Sequence, residues 1–507
     1  MVMAEESGSM DAMDGCGRTG RRLPGRGRRV LFHALAIAVV LSPLVAVEWT
    51  VRLFVPVPPA VAEDPYVSFS GTRPLFVLDS AGRRFETARE RLAFFCRQSF
   101  AAAKPADGFR IFVLGGSTVQ GRPYSVETSF TTWLELNLRA ARPETSWEAI
   151  NCGGVSYASY RLVPVLREVL QYEPDLIVLY TGHNEFLEDR SYGRVRRAPK
   201  FLIGVHRALL NLRTYALADR WLARRRGDDP ANSVLPAEVQ ARLDFQGGLD
   251  AYHRDESWRR GTIAHFAHNL ETMVRLTHEN GVPLILMNPV SNLKDCPPFK
   301  SEFRADLSKT QRRAMVEFVN RAQATDWSDA YARIRLLEQA VDIDDRYANL
   351  LYHLGLCHER LGRSDEAMRW FVRAKEQDVC PLRMLEAMHE VVRRTASAKG
   401  VPLVDVRGLV VERTPDGIPG DEWLLDHVHP TIEAHQLIAD ALYRQVERLD
   451  LIRTPEGWRR ARDELRRRHL DSLDDAYYAH GAARLKRLHE WSRGRIPAGR
   501  DLNPDAL

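Results

Sequence analysis

Three short stretches of this chain hold the residue types that covalent chemistry at a carbonyl carbon requires. They are Leu114-Gly115-Gly116-Ser117-Thr118, Thr181-Gly182-His183-Asn184-Glu185 and Asp426-His427-Val428-His429-Pro430-Thr431. A serine hydroxyl is a weak nucleophile at neutral pH, so it needs a base within hydrogen-bond reach and a third group that orients the base. Asp426 and His429, three residues apart, can supply both from one turn. Pro430 fits the first position of a helix, and IEAHQLIADAL after it carries the apolar period of a helix packed on a sheet. Taken singly, a serine after two glycines is usually a turn, and DHVHP is equally a metal pair or a helix cap. A zinc esterase using Asp426, His427 and His429 stays open on these residues alone, but no further strong ligand cluster is visible, and neither metal nor cofactor is expected.

The elements that must position these groups are legible as hydrophobic runs. FRIFVLGG (109–116), WEAINCG (147–153), LIVLYTG (176–182), PLILMNPV (283–290) and VPLVDV (401–406) are continuous apolar stretches of the kind covered on both faces. Between them lie helical patterns such as SFTTWLELNLRAA, RLVPVLREVLQY and TIAHFAHNLETMVRLTHENG, the last with Asn280-Gly281 as a C-cap. Alternation of this sort implies a flavodoxin-like, three-layer α/β/α sandwich on a five-stranded parallel sheet. Such sheets bind ligands at the carboxyl ends of their strands, where the three motifs fall.

In order and spacing the motifs resemble the blocks of the SGNH hydrolases, the GDSL lipase/esterase superfamily, over about residues 107–448. The resemblance implies Ser117 as nucleophile, His429 as general base and then acid, and Asp426 as the group that fixes the imidazole tautomer. It also implies an oxyanion hole from the backbone N–H of Ser117, a second N–H near Gly153, Gly154 or Ser156, and the Asn184 amide. His427 follows Asp426 directly and is assigned beside the base, not as the base. Three departures stand out: Gly116 where the family has Asp, Ser156 at the usual glycine five residues after Asn151, and Glu185 where Asp is common after Asn184.

The rest of the chain frames this domain. Residues 1–29 form a basic segment expected in the cytoplasm, and 30–54 an apolar transmembrane anchor. Between Gly15 and Val47 there is no acidic residue, and GRTGRRLPGRGRR carries six arginines before the run Val30 to Val47. A cleaved signal peptide and a buried core helix are the alternatives. Residues 55–107 read as a juxtamembrane cap or linker with strand-like RPLFVLD and helix-like ERLAFFCRQSF, 108–448 as the hydrolase domain, and 449–507 as a solvated helical tail packing beside the second of two insertions. The first insertion, 187–255, holds an amphipathic basic helix that either packs on the core or lies on a membrane. The second, 305–395, matches one tetratricopeptide unit at Leu351, Leu354, Gly355, Ala367, Phe371 and Ala374, with a degenerate half before it at Leu337 and Ala340. Its role is either packing or binding a protein partner.

Composition closes off other classes. The 507 residues are 45% hydrophobic and 27% charged, which excludes a disordered chain. A net charge of +5, from 72 Lys+Arg against 67 Asp+Glu, argues against a nucleic-acid binder. Exported, the domain would carry an odd five cysteines, Cys96, Cys152, Cys296, Cys357 and Cys380, and no C-x-x-C pair. The expectation is an extracytoplasmic, membrane-anchored serine hydrolase or acyltransferase acting on a small-molecule, polysaccharide or lipid ester. The competing expectation is a catalytically silent, glycan-binding scaffold of the same fold whose insertion recruits a protein.

Overall fold

The apolar runs become a single parallel sheet. The computed structural model describes residues 74–188 and 248–495 continuously, with short pieces within 33–72 and 209–235. The strands are β1 (Gly108–Gly115), β2 (Ser146–Gly153), β3 (Leu176–Tyr180), β4 (Leu284–Asn288) and β5 (Leu403–Asp405). They lie in the order β2-β1-β3-β4-β5, every neighbouring pair parallel. Alternation sends Phe112, Leu114, Ile177, Leu179 and Leu286 into one core and Ile111, Val113, Val178, Ile285 and Met287 into the other. Burial on both faces is why these strands show no polar alternation in sequence.

The helices are α1 (Ser117–Gln120), α2 (Phe130–Ala141), α3 (Ser159–Val169) and α4 (Glu256–Glu279), then α5 (Lys309–Ala324), α6 (Ala330–Ile343), α7 (Ala348–Arg360) and α8 (Ser364–Gln377). They continue with α9 (Glu386–Lys399), α10 (Val406–Arg413), α11 (Ile432–Arg448), α12 (Trp458–Asp471) and α13 (Asp475–Arg495). One face of the sheet is covered by α3, α4 and α9, the other by α2 and α11. On α2, Trp133, Leu134 and Leu138 are fully buried, each worth about 1.5–3 kcal/mol in area removed from water.

Register brings the strand ends level. Gly115 pairs with Gly153 on β2 and with Tyr180 on β3, so the loops leaving β1, β2 and β3 start side by side. The strand order reverses between β1 and β3, which is where open α/β sheets form their crevice.

Of the two readings of 55–107, cap or linker, the described part just before β1 fits the cap. An antiparallel sheet of Phe76–Leu78, Arg84–Thr87 and Ser99–Ala101 packs Phe76 and Phe100 edge-on at 5.0 Å and delivers Phe100 to Phe112 of β1 at 5.4 Å. Buried Arg110 ties it down by donating to Ala101 O at 2.8 Å and Glu148 Oε2 at 2.7 Å. ERLAFFCRQSF forms only one 3-10 turn, Arg89–Arg91, in place of the expected helix. The Phe94 carbonyl is spent instead on Val155 N–H at 2.9 Å and the Gln120 amide at 2.9 Å, which helical hydrogen bonding would forbid.

The second insertion is two helical hairpins, α5 with α6 and α7 with α8, not one and a half. The turn after α5 spans 325–329 against 361–363 after α7, so Met315 and Val319, both buried, sit two residues out of step with Leu351 and Gly355. That offset hid α5 from a strict repeat count. Gly355 is needed because a Cβ there would come within 2.6 Å of the Phe371 ring.

The tail does not pack beside this insertion. Along α12, Arg466 bonds Asn137 of α2 at 2.8 Å and Asp440 of α11 at 2.5 Å, and Leu470 joins the core that these helices share. Cys96, Cys152, Cys296, Cys357 and Cys380 are all free thiols.

A separate compact unit contains the helix over 45–54 and the helix Arg213–Arg225. Glu48 caps the second helix, accepting Arg213 N–H at 2.8 Å, Thr214 N–H at 3.0 Å and the Thr214 hydroxyl at 2.7 Å. Among the described residues no helix is long and apolar enough to cross a membrane, and part of the expected anchor over 30–54 lies outside them. The same holds for most of the first insertion, 187–255.

Candidate active site

Ser117 opens α1 directly after β1, half-buried, on a backbone that can make this sharp turn because its predecessors lack side chains. A Cβ on Gly116 would lie 2.5 Å from Asn184 Nδ2. As the first helical residue, Ser117 has no intrahelical acceptor for its N–H.

The candidate base, His429, arrives on the loop before α11. Asp426 Oδ1 accepts the N–H groups of Val428 and His429, each at 2.9 Å, folding the loop onto its own carboxylate. Its Oδ2 accepts the His429 Nδ1 proton at 2.6 Å, and His429 Nε2 then accepts the Ser117 hydroxyl at 2.8 Å. Asp426 and His429 are 8% and 5% exposed, so the relay is sheltered from water on the side away from Ser117. Burial alone would raise the Asp426 pKa, but the imidazoles of His429 and His427 and the hydrogen bonds overcome it and hold the carboxyl far below the usual range. Pro430 is not at the first helical position: Thr431 is the N-cap, its hydroxyl accepting Ala434 N–H at 3.1 Å. Pro430 instead bridges back to Leu424, closing the loop.

Oxyanion donors sort by which N–H groups are spent. Gly153 N–H goes to Asn151 Oδ1 at 2.9 Å and Gly154 N–H to Gly115 O at 3.0 Å, so neither glycine can serve, contrary to the expectation for these two positions. The Ser156 N–H has no acceptor among the described residues, and Ser156 holds φ at 62°, the left-handed conformation usually left to glycine. Asn184 donates one amide hydrogen to Tyr157 O at 3.0 Å, which fixes the amide and leaves its second hydrogen. Ser117 N–H, Ser156 N–H and the Asn184 amide are therefore the available set. Glu185 stays out of it: its carboxylate accepts the Ser159 N–H at 2.7 Å and hydroxyl at 2.8 Å.

Around the relay are His427, expected beside the base, and two groups that sequence reasoning did not single out, His183 and Met384. His427 packs edge-on to Phe299 at 5.2 Å, and burial pushes its pKa down to about 4, so it is neutral at pH 7. His183, next to Asn184, accepts Met384 N–H on Nδ1 at 3.3 Å and is pushed by burial to about 3. Met384 comes from the exit of the second insertion, where Arg383 donates to Asn292 O at 2.9 Å and Cys296 O at 2.6 Å. A Cβ on Gly182 would meet Met384 Sδ at 2.6 Å, a contact that no signal in the sequence announces. Among the described residues no three His, Cys, Asp or Glu side chains converge as a metal site needs.

No protein-family model matches the chain, and no curated protein matches it. Among solved structures, the lipase/acylhydrolase from Enterococcus faecalis is 14% identical, with a TM-score of 0.31 over 69% of this chain and 100% of that one. The acetylxylan esterase from Geobacillus stearothermophilus is 12% identical, with a TM-score of 0.29 over 68% of this chain and 96% of its own. A GDSL-like lipase from Bacteroides thetaiotaomicron VPI-5482 is 12% identical, with a TM-score of 0.29 over 68% and 92%. The solved structures it is similar to include GDSL lipases and acetylxylan esterases. At these scores the likeness carries no functional weight, and the chemistry has to be read from the side chains.

Proposed function

We propose that this chain is a serine esterase or O-acyltransferase that works through an acyl-Ser117 intermediate. The observation that carries the reading is the unbroken relay from Ser117 Oγ through His429 to Asp426, at 2.8 and 2.6 Å. His429 takes the Ser117 proton as Oγ attacks the acyl carbon. The charge that develops on the carbonyl oxygen is met by Ser117 N–H, Ser156 N–H and Asn184, and the protonated His429 then gives its proton to the departing alcohol. Water or a sugar hydroxyl, activated by the same imidazole, releases the acyl group.

The reading extends to location. The acid-free apolar run after six arginines supports a single-pass anchor with the catalytic domain outside the cytoplasm. Trp49, Leu53 and Phe54 on the first helix of the small unit are 61%, 73% and 78% exposed, a surface suited to lipid. An acyl or acetyl ester of envelope carbohydrate or lipid is the corresponding substrate class. Initial rates on p-nitrophenyl acetate test the chemistry: turnover by the purified chain that vanishes in Ser117→Ala supports it, and turnover unchanged in that variant ends it.

A further inference from the structure

The C-terminal helix α13 lies across the two loops that make the relay. Tyr477 meets Thr128 hydroxyl to hydroxyl at 2.7 Å, and its ring stacks on Tyr124 at 5.9 Å. Arg484 donates to Tyr124 O at 2.6 Å, and the His489 ring bonds Leu425 O, beside Asp426, at 2.8 Å. Arg487, three residues after Arg484 and so on the same side of the helix, is exposed.

Arg122 comes to the same place from the nucleophile turn. Its N–H bonds Ser117 O at 3.1 Å, and its Nε donates to Gln120 Oε1 at 2.7 Å. The Gln120 amide in turn donates to Phe94 O at 2.9 Å, the carbonyl that also takes Val155 N–H next to Ser156. The guanidinium is thus tied through Gln120 to the Phe94 carbonyl, between the Ser117 turn and the loop that carries Ser156. Burial first, and then the nearby charges of Arg484 and Arg487, lower the Arg122 pKa, with the Cys96 thiol acting against them. None of the three arginines forms an ion pair with a carboxylate among the described residues. Like charges held together, Arg122 and Arg484 half-buried and none paired with a carboxylate among the described residues, work against the fold, which is a mark of sites kept for binding. A bound carboxylate or phosphate relieves that repulsion, and a guanidinium fork matches its geometry.

We propose that Arg122, Arg484 and Arg487 form an anion subsite beside Ser117, so that the preferred substrate is an ester carried on an acidic molecule such as a uronate-containing glycan. The proposal rests on the esterase reading of Ser117. It is tested by kcat/KM on three esters: neutral p-nitrophenyl acetate, the monosuccinate of p-nitrophenol with its carboxylate on the acyl side, and 4-acetoxybenzoate with its carboxylate on the alcohol side. In the Arg122→Gln/Arg487→Gln double variant the rate on at least one acidic ester is expected to fall about tenfold more than on the neutral ester. About 0.5 M salt should remove most of the wild-type advantage for the acidic ester. The Lys/Lys double variant, which keeps charge but loses the forks, should recover part of the loss. An equal proportional loss on all three esters overturns the proposal. Binding of trigalacturonic acid to the Ser117→Ala chain reads the subsite without turnover: weakening of about tenfold on adding the two Gln substitutions supports it, and no binding or unchanged binding overturns it even if Ser117 hydrolyses no ester.

Discussion

The two loops that meet at the relay are built in opposite ways. The nucleophile loop is held by backbone crowding: Gly115 and Gly116 stand where a Cβ would strike the Tyr180 carbonyl oxygen and the Asn184 amide nitrogen. The base loop is held by one charged side chain, since the Asp426 carboxylate gathers two backbone N–H groups and the imidazole that they carry. The first loop should therefore fail when atoms are added, and the second when charge or acceptors are removed.

The largest effect expected is at Ser117 itself, where alanine should remove roughly 10³–10⁶-fold in kcat, leaving whatever the oxyanion donors supply alone. Asp426→Asn should come next, at about 10⁴-fold, because the amide cannot accept from His429 and both backbone N–H groups as a carboxylate does, and the tautomer at His429 is no longer fixed. Full activity in the Asp426→Asn variant would remove the contrast between the loops. Gly116→Ala adds one methyl and should cost about 10²–10³-fold in kcat with little change in KM, by displacing the Asn184 amide. Combined with Asn184→Ala it should cost little more than either change alone, and additive losses would show that Gly116 acts some other way.

Acid separates the loops without mutation. Burial holds His183, His427 and, on α11, His435, whose Nδ1 accepts Phe130 N–H at 3.2 Å, down at about 3 to 4 in the folded chain, well below the ordinary value near 6.5. As pH falls through about 6.5 the unfolded chain takes up protons that the folded one refuses, so stability is full above that pH and declines toward about 4. Asp426, held low in the folded state, adds a loss of the same sign below the unfolded carboxylate value. Urea midpoints at pH 7.5, 6 and 5 should fall in that order, and His427→Gln should flatten the trend. The smallest effect expected is at Ser156→Gly: relief of a left-handed serine should stabilise the chain by roughly 1 kcal/mol, while turnover stays within about threefold because the N–H is kept.

The same contrast explains what could be read before the structure. Both halves of the base loop are local in sequence, Asp426 and His429 being three residues apart, and the strands announce themselves by continuous burial. What stayed hidden depends on contacts between distant segments. Gly153 and Gly154 looked like donors until their N–H groups were found spent on Asn151 and Gly115, which leaves Ser156, already marked by its place five residues after Asn151, as the candidate donor of that loop. The helix expected from ERLAFFCRQSF lost to the demand of Val155 and Gln120 for the Phe94 carbonyl. The mixed charges of α13 gave no sign of its seat on Tyr124 and Leu425, because a surface of both signs fits many partners.

The central claim is that Ser117 is activated as a nucleophile by His429. Intact-protein and peptide mass spectrometry after treatment with a fluorophosphonate probe tests it directly. A single adduct on Ser117, lost in His429→Ala and strongly slowed in Asp426→Asn, is the predicted result. No adduct on Ser117, or one formed equally fast without His429, would contradict it.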